Sequence, residues 1–268
     1  MIDSPYLVEP GKKVKLSKFP TDATGKFKSK SDVLLICEKN LKKLAALQEV
    51  LYAQSKHAIL IVFQAMDAGG KDGAIDHVFS GVNPQGCSVT SFKAPSALEL
   101  GHDYLWRIHA AIPKKGMIGI FNRSHYESVL VERVHELVPR DVWEKRYKHI
   151  NQFEKLLSDE GTTIIKFFLH ISRDEQRERM EARLADKTKN WKFDPNDLLE
   201  RKRWDDYMEA YEDAMEQCST KHAPWYIVPS DHKWFRNWFI SDTIVRTMEG
   251  IKLEFPKPIE GIEKIKID

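Results

Sequence analysis

A strand-like run, Ile61-Val62-Phe63-Gln64, leads into Ala65-Met66-Asp67-Ala68-Gly69-Gly70-Lys71-Asp72-Gly73. Glycines there let the backbone close tightly around an anion, its N–H groups converge on phosphate oxygens, and a helix starting at the same place adds about half a positive charge. Gly69, Gly70, Lys71, Asp72 and Gly73 are therefore candidate phosphate-binding residues. The general P-loop pattern, G-x-x-x-x-G-K-[ST], is met at Gly70 and Lys71, while Ala65 takes the first Gly position and Asp72 the Ser/Thr position. The missing hydroxyl ordinarily helps to hold magnesium, so another oxygen ligand is required, and Asp67 is the one the turn offers. A ligand-free Gly-rich turn between strand and helix would use the same residues.

Met117-Ile118-Gly119-Ile120-Phe121 is a second short apolar run, ending in Asn122-Arg123-Ser124-His125-Tyr126-Glu127. In P-loop kinases the strand beside the phosphate turn ends in a magnesium-binding carboxylate, and Asn122 stands in that place. An amide oxygen can ligate magnesium or its bound water, but it carries no charge and cannot act as a base. Asp67 is then the principal anion near the metal and Asn122 a second candidate ligand. Arg123 offers a planar fork suited to phosphate oxygens. Taken alone, Asn122 and Arg123 also read as a helix N-cap and a surface ion pair; the phosphate turn on a neighbouring strand favours the binding role.

The elements that must position these residues follow from periodicity. Leu34, Cys37, Leu41, Leu44, Leu47 and Leu51 recur at steps of three and four, which predicts an amphipathic helix from Ser31 to about Ala53. Apolar runs then alternate with helical stretches, as βαβ units around a parallel sheet require. The expected strands are Ala58 to Gln64, Cys87 to Phe92, Met117 to Phe121, Thr163 to Leu169 and Trp225 to Val228. Ser96 with Glu99 and Ser172 with Glu175 read as capping boxes, and Asp194-Pro195 as a further helix start. Residues 1–30, rich in Lys and Pro, read as an extended arm, about 184–194 as a lid loop, and 251–268 as a tail. With no repeat or linker, residues 1–268 are expected to form one domain.

Composition narrows the partners. The 42 basic and 40 acidic side chains leave a net charge of +2, so no global field marks a nucleic-acid binder, and a polyanion must be met by local clusters. The longest strongly apolar run, Ala58 to Phe63, is far short of the ~20 residues of a membrane helix, and Met1 to Pro10 has no signal-peptide core. A cytoplasmic protein is expected. Cys37, Cys87 and Cys218 fit neither a disulfide framework nor a zinc site and read as reduced and buried. His125 reads as structural, and Trp191, Trp204, Trp225, Trp234 and Trp238 as core or subunit-contact residues.

Met66-Asp67-Ala68-Gly69-Gly70-Lys71-Asp72-Gly73, Phe121-Asn122-Arg123-Ser124-His125-Tyr126-Glu127, Val131-Glu132-Arg133, Asn190-Trp191-Lys192-Phe193 and Arg203-Trp204-Asp205-Asp206-Tyr207, in this order, resemble polyphosphate kinase 2. The resemblance covers roughly Lys13 to Phe255. It implies an α/β P-loop kinase, thymidylate kinase-like, with three layers, a five-stranded parallel sheet and a helical lid. It also implies transfer of the terminal phosphoryl of inorganic polyphosphate to nucleoside mono- or diphosphates with Mg2+. Carried over by position, Asp67 binds magnesium and helps activate the acceptor phosphate, Lys71 and Arg123 hold phosphates at the transfer point, and Arg183 reaches the transferring group from the lid. Arg133 binds donor or acceptor phosphates, and Lys93 and Glu127 lie near the nucleotide. Many members carry Asp at the position of Asn122; the version here resembles the subgroup that accepts both mono- and diphosphates. A homo-oligomer, dimer or tetramer, is expected. Arg177 and Arg179 have Glu175, Glu178 and Glu181 as local partners, and for them, as for Lys187, Lys189 and Lys192, a solvated face is the favoured reading over a phosphate collar. An ATP-dependent nucleoside monophosphate kinase and a nucleotide-binding protein without turnover are the competing readings.

Overall fold

The structure is a computed structural model of the chain and describes residues 2–265 and residue 267. Its strands are β1 (Ala58–Gln64), β2 (Cys87–Ser91), β3 (Ile118–Asn122), β4 (Thr162–His170) and β5 (Trp225–Pro229). Its helices are α1 (Ser31–Gln54), α2 (Lys71–Val78), α3 (Ala97–Leu100), α4 (Trp106–Ala110), α5 (Val131–Val134), α6 (Arg140–Asp159), α7 (Arg173–Ala185), α8 (Asn196–Lys202), α9 (Trp204–Cys218) and α10 (Lys233–Glu249). The strands form one parallel sheet in the order β2-β3-β1-β4-β5. Each expected strand is present to within one residue at either end, and the architecture is the three-layer α/β P-loop kinase fold.

Both faces of the sheet are covered, which is why β1 is apolar without alternation. Ile59, Ile61 and Phe63 pack with Ile165, Phe167 and residues of α1, α2 and α10 on one side. Leu60 and Val62 pack with Phe121, Ile164 and residues of α6 and α9 on the other. All seven residues of β1 are buried, so the sheet's central strand ends rigidly where the phosphate turn begins. The extended arm before α1 wraps the core. Ile227 N–H donates to the Tyr6 carbonyl (2.8 Å) and Val8 N–H to the Trp225 carbonyl (2.9 Å), so this segment pairs antiparallel with the open edge of β5. Val8, Val14 and Leu16 are buried there, and the Glu212 carboxylate accepts the Leu16 N–H at 2.7 Å. Covering an edge in this way removes a template for unwanted strand pairing. The opposite edge, β2, leaves Val89 and part of Cys87 exposed, so Cys37 and Cys218 are buried thiols but Cys87 is not fully so. Among the described residues no helix is long and apolar enough to cross a membrane.

The Ser96–Glu99 capping box forms in full, but Ser172 forms only half of one. Its Oγ accepts the Glu175 N–H at 3.0 Å, while the Glu175 carboxylate turns to Arg179 at 2.6 Å, because a guanidinium outcompetes a backbone N–H for it. Asp194 caps α8 through its Oδ1, which accepts the Asn196 N–H at 2.9 Å.

A lysine interrupts the apolar sheet core. Lys166, in the middle of β4 and fully buried, donates to the Glu154 carboxylate of α6 (2.5 Å), the Tyr126 hydroxyl (2.7 Å) and the Cys218 carbonyl (2.8 Å). Tyr126 donates in turn to Glu154 (3.0 Å), and His125 Nε2 lies 3.2 Å from the same oxygen. Burial alone would raise the Glu154 carboxyl; Lys166 and His125 outweigh it and hold the pKa below the ordinary value. The cluster ties the Ser124–Ser128 turn, directly after Asn122 and Arg123, to two core elements, and gives His125 its structural role. Lys166→Met strands a buried carboxylate and is expected to lower the unfolding free energy by about 3–5 kcal/mol. Adding Glu154→Leu should recover most of that loss in urea denaturation; an equal loss in the double variant would show that the ion pair is not its source.

Candidate functional site

The carboxyl ends of β1 and β3 lie side by side, with Phe63 in register with Asn122, so the two strand-end motifs meet. Three residues there hold positive φ: Ala68 (57°), Gly70 (95°) and Arg123 (62°). Ala68 and Arg123 are in a region that L side chains adopt at a cost, and such strain gathers where a backbone is shaped for a ligand. Gly69 is required for another reason: a Cβ there would sit 2.5 Å from the Ala65 Cβ and 2.7 Å from the Met66 carbonyl. Arg123 N–H donates to the Phe63 carbonyl at 3.1 Å, which locks the second motif onto the first strand.

The side chains form a network of opposite charges. Arg123 Nη2 lies 2.6 Å from Asp67 Oδ1 and its Nη1 3.7 Å from Glu127. Asn122 Nδ2 donates to Asp72 Oδ1 at 2.7 Å. Lys71 is buried and folds back to donate to the Ala65 carbonyl at 3.0 Å. Burial and then Arg123 lower the Lys71 pKa, against Asp67, Glu127 and Asp72. Burial raises the Glu127 carboxyl in spite of Arg123 and Lys71. The structure therefore brings together Asp67, Lys71, Asp72, Asn122, Arg123 and Glu127. Asn122 is no helix cap; Ser124 Oγ accepts the Tyr126 N–H and caps the turn that follows.

A small recess opens over this network, lined by Asp67, Arg123, Glu127, Leu130, Tyr207 and Tyr211 among others. Beside it, a cavity of about 170 Å³ is bounded by Tyr104, Arg107, Ile108, Arg146, Ser128 and, again, Glu127. Glu127 stands at the boundary of the two. Lys93 is exposed and outside both, though its carbonyl accepts from Arg107 at 2.8 Å. Arg133 also lies outside the recess. Asp213 (2.7 Å) and Glu209 (2.8 Å) of α9 engage both of its terminal nitrogens, and it lies over the Trp143 ring at 4.6 Å. That geometry ties α5 and α6 to α9. Arg183 lies 3.7 Å from Asp197 at the start of α8, across the segment expected as a lid. Trp191 in that segment is 77% exposed, whereas Trp204 and Trp225 are core.

One arginine does more than the sequence reading gave it, and another escaped that reading. Arg179 keeps the expected local partner, Glu175, but its Nη1 also donates to the Gly69 (3.0 Å) and Ala68 (3.2 Å) carbonyls and its Nη2 to the Ser230 carbonyl (2.5 Å). It clamps the phosphate turn to the end of β5, assisted by Gln176, which donates to the Asp67 carbonyl at 2.9 Å. Arg236 of α10 also packs against Gly70, and its one sequence signal is a cation on the apolar stripe that continues through Ile240, Thr243 and Ile244.

Oxygen donors are what magnesium takes, and it ordinarily keeps waters and substrate phosphates alongside one or two protein carboxylates. Asp67, Asp72 and Asn122 fit such a sparse set, and among the described residues no group of three or more His, Cys, Asp or Glu side chains offers a denser one. Burial and Asp67 push the Asp197 carboxyl up to about 6, against Arg183 and Arg123. A carboxyl raised in the folded state costs stability above that value, and the cost vanishes as pH falls to the ordinary value of 3.8. Asp197→Asn should therefore raise Tm at about pH 7.5, the gain fading toward about pH 4. A gain independent of pH in thermal melts would contradict this electrostatic account.

The chain matches the family model for Polyphosphate kinase 2 (PPK2) over residues 29–256. It is 52% identical over 267 residues to the AMP/ADP-polyphosphate phosphotransferase of Meiothermus ruber, spanning 98% of this chain and 99% of that one. To the ADP-polyphosphate phosphotransferase of Rhodopseudomonas palustris it is 48% identical, over 94% of this chain and 91% of the relative. The crystal structure of polyphosphate kinase 2 from Arthrobacter aurescens superposes with a TM-score of 0.91 at 40% identity, over 94% of this chain and 90% of the other. Likeness of this extent, on a sheet whose order and phosphate turn are those of a P-loop kinase, makes the chain a member of the polyphosphate kinase 2 family.

Proposed function

We propose that the protein transfers the terminal phosphoryl of inorganic polyphosphate to nucleoside mono- and diphosphates, AMP to ADP and ADP to ATP, reversibly and with Mg2+. The observation that carries this reading is the meeting of Lys71, Arg123 and Asp67 at two adjacent strand ends, with Glu127 between that cluster and a cavity of about 170 Å³. The cluster suits the donor's phosphates and the transfer point, and the cavity suits the acceptor's nucleoside. The names of the two relatives that span nearly the whole chain support both substrates.

Phosphoryl transfer asks for alignment and charge neutralisation more than for covalent chemistry. The nucleophile is an oxygen of the acceptor phosphate, whose second pKa is about 6, so it arrives deprotonated and needs no general base. That is why an amide at Asn122 is compatible with turnover. Lys71 and Arg123 exchange their internal acceptors, the Ala65 carbonyl and Asp67, for phosphate oxygens. Arg183 leaves Asp197 to meet the transferring group from the lid side. Asp67, with Asn122 as a second ligand, would hold magnesium, whose charge would offset repulsion between two polyanions. The phosphate turn with its backbone N–H groups, from Gly69 to Gly73, cradles the donor end.

The same reading makes residues 1–268 one kinase domain in the cytoplasm, where its free thiols stay reduced. It also makes the protein a homo-oligomer: Leu34 and Leu35 on α1 are 48% and 68% exposed, an apolar patch suited to a subunit contact.

The direct test incubates the protein with AMP or ADP, magnesium and either polyphosphate or ATP. ADP and ATP should form from polyphosphate, and faster transfer from ATP to AMP than from any polyphosphate would replace this reading with an ordinary nucleotide kinase. Lys71→Ala and Asp67→Asn should each lower turnover by about three orders of magnitude with the fold intact; near-normal turnover in folded Asp67→Asn would remove it from the mechanism. Asn122→Asp adds charge beside an anionic acceptor and should change the ratio of AMP to ADP activity, whereas an unchanged ratio would place acceptor choice elsewhere.

A further inference from the structure

Every backbone carbonyl from Ala65 to Gly69 accepts a hydrogen bond, and the donors differ in kind. Lys71 donates to that of Ala65, the Gly69 N–H to that of Met66, and Arg179 to those of Ala68 and Gly69. The Asp67 carbonyl depends on an amide. Gln176 Nε2 donates to it at 2.9 Å, and among the described residues no backbone N–H does so.

Gln176 lies on α7 one turn before Arg179 and is 0% exposed. A guanidinium donates whichever way it turns, but a carboxamide has a donating and an accepting end, and its other partner decides which end faces the turn. For Gln176 that partner is Arg201 of α8. Its Nη1 donates to Gln176 Oε1 at 2.7 Å and to the Arg173 carbonyl at 2.6 Å. Reversing the amide would set N–H against guanidinium and carbonyl against carbonyl, so Arg201 selects the one orientation in which Gln176 can hold Asp67.

α8 contributes no buried residue, and its Leu198 and Leu199 are exposed. Polar contacts therefore set its place: Glu200 accepts from the Tyr207 hydroxyl at 2.6 Å and lies 2.8 Å from His135, and Arg201 makes the two bonds above. The peptide it steadies is under strain, because Ala68, which follows Asp67, holds φ at 57°. Without the Gln176 bond that peptide can relax, and the Asp67 side chain, 2.6 Å from Arg123, turns with it.

We infer that Arg201 is a positioning residue for the reaction: by orienting the Gln176 amide it fixes the Asp67 peptide and thereby the carboxylate at the transfer point. The inference rests on the functional reading above for the role of Asp67 and deepens it, since a helix outside the recess then determines where that carboxylate stands. It also gives Gln176 a role that no apolar residue and no glutamate can fill, because the position requires one donor and one acceptor.

The test is a double-mutant cycle of Arg201→Met and Gln176→Leu, with Arg201→Lys and Gln176→Glu beside it. Turnover is measured with AMP, magnesium and polyphosphate or ATP, and Gly69 amide hydrogen exchange on the same proteins without substrate or metal. Arg201→Met and Gln176→Leu should each lower kcat about tenfold, the usual scale of a lost orienting partner, with KM for the donor changed less than kcat. Gln176→Glu keeps an acceptor for Arg201 but turns an oxygen toward the Asp67 carbonyl, and should lose at least as much; Arg201→Lys should recover part. Exchange at Gly69, whose N–H closes the turn onto Met66, should quicken in both single variants. In the double variant neither quantity should move much beyond the single changes. Additive losses would overturn the inference, as would a fall in Tm alone, with kcat and Gly69 exchange unmoved in folded Arg201→Met. If the wild type transfers from ATP and not from polyphosphate, the functional reading fails, and the same cycle run with ATP and by exchange still decides whether Arg201 acts through Gln176.

Discussion

Lys71, Arg123, Arg179 and Arg236 converge on one turn of the chain, and the mutual repulsion of these cations is the constraint around which the site is built. Three of them are paired internally. Asp67 takes Arg123, the Ala65 carbonyl takes Lys71, and Glu175 with the Ala68 and Gly69 carbonyls takes Arg179. Under the proposed function these acceptors stand in for the donor, their oxygens offering the cations what phosphate oxygens would. On that proposal the near-neutral chain, +2 in all, holds a concentrated positive site that an exchange of partners would expose.

Holding such a turn in shape demands rigid supports, and the core provides them in two ways. β1, buried along its whole length, fixes where the turn begins. The Lys166–Glu154–Tyr126 cluster fixes the segment after β3, so that Arg123 can hold a positive φ and still present its fork to Asp67. Buried ion pairs are weak sources of stability, because desolvation consumes much of the attraction, but they choose one geometry over its competitors. Placing one beneath the motif that carries the site suits that property.

Much of this was legible in the sequence because it depends on local rules. Strand limits followed from runs that must be apolar on both faces, and the phosphate turn from glycines whose backbone no other residue can copy without strain or collision, as Gly69 illustrates. What stayed hidden was the choice of partner over distance. Arg179 has glutamates one turn away and used one of them, yet its more consequential bonds reach carbonyls more than a hundred residues before it and fifty after. Arg133 sits in a motif of the family, but only the packing of α9 reveals that two carboxylates engage it. Lys166 interrupts an apolar strand, and nothing local announces Glu154 as its counter-ion. Likewise, pairing of the amino-terminal segment with β5 depends on an edge that exists only once the sheet order is known.

If internal carboxylates stand in for phosphate, removing one must free a cation even as it damages catalysis. The sharpest measurement is the affinity of Asp67→Asn for tripolyphosphate without divalent metal, set beside the wild type under the same conditions. The account predicts tighter binding by the variant, because Arg123 no longer has to leave a carboxylate 2.6 Å away. Weaker binding, with Arg123 still needed for it, would mean that Asp67 orients Arg123 for phosphate and does not compete for it, and the exchange of partners would be wrong.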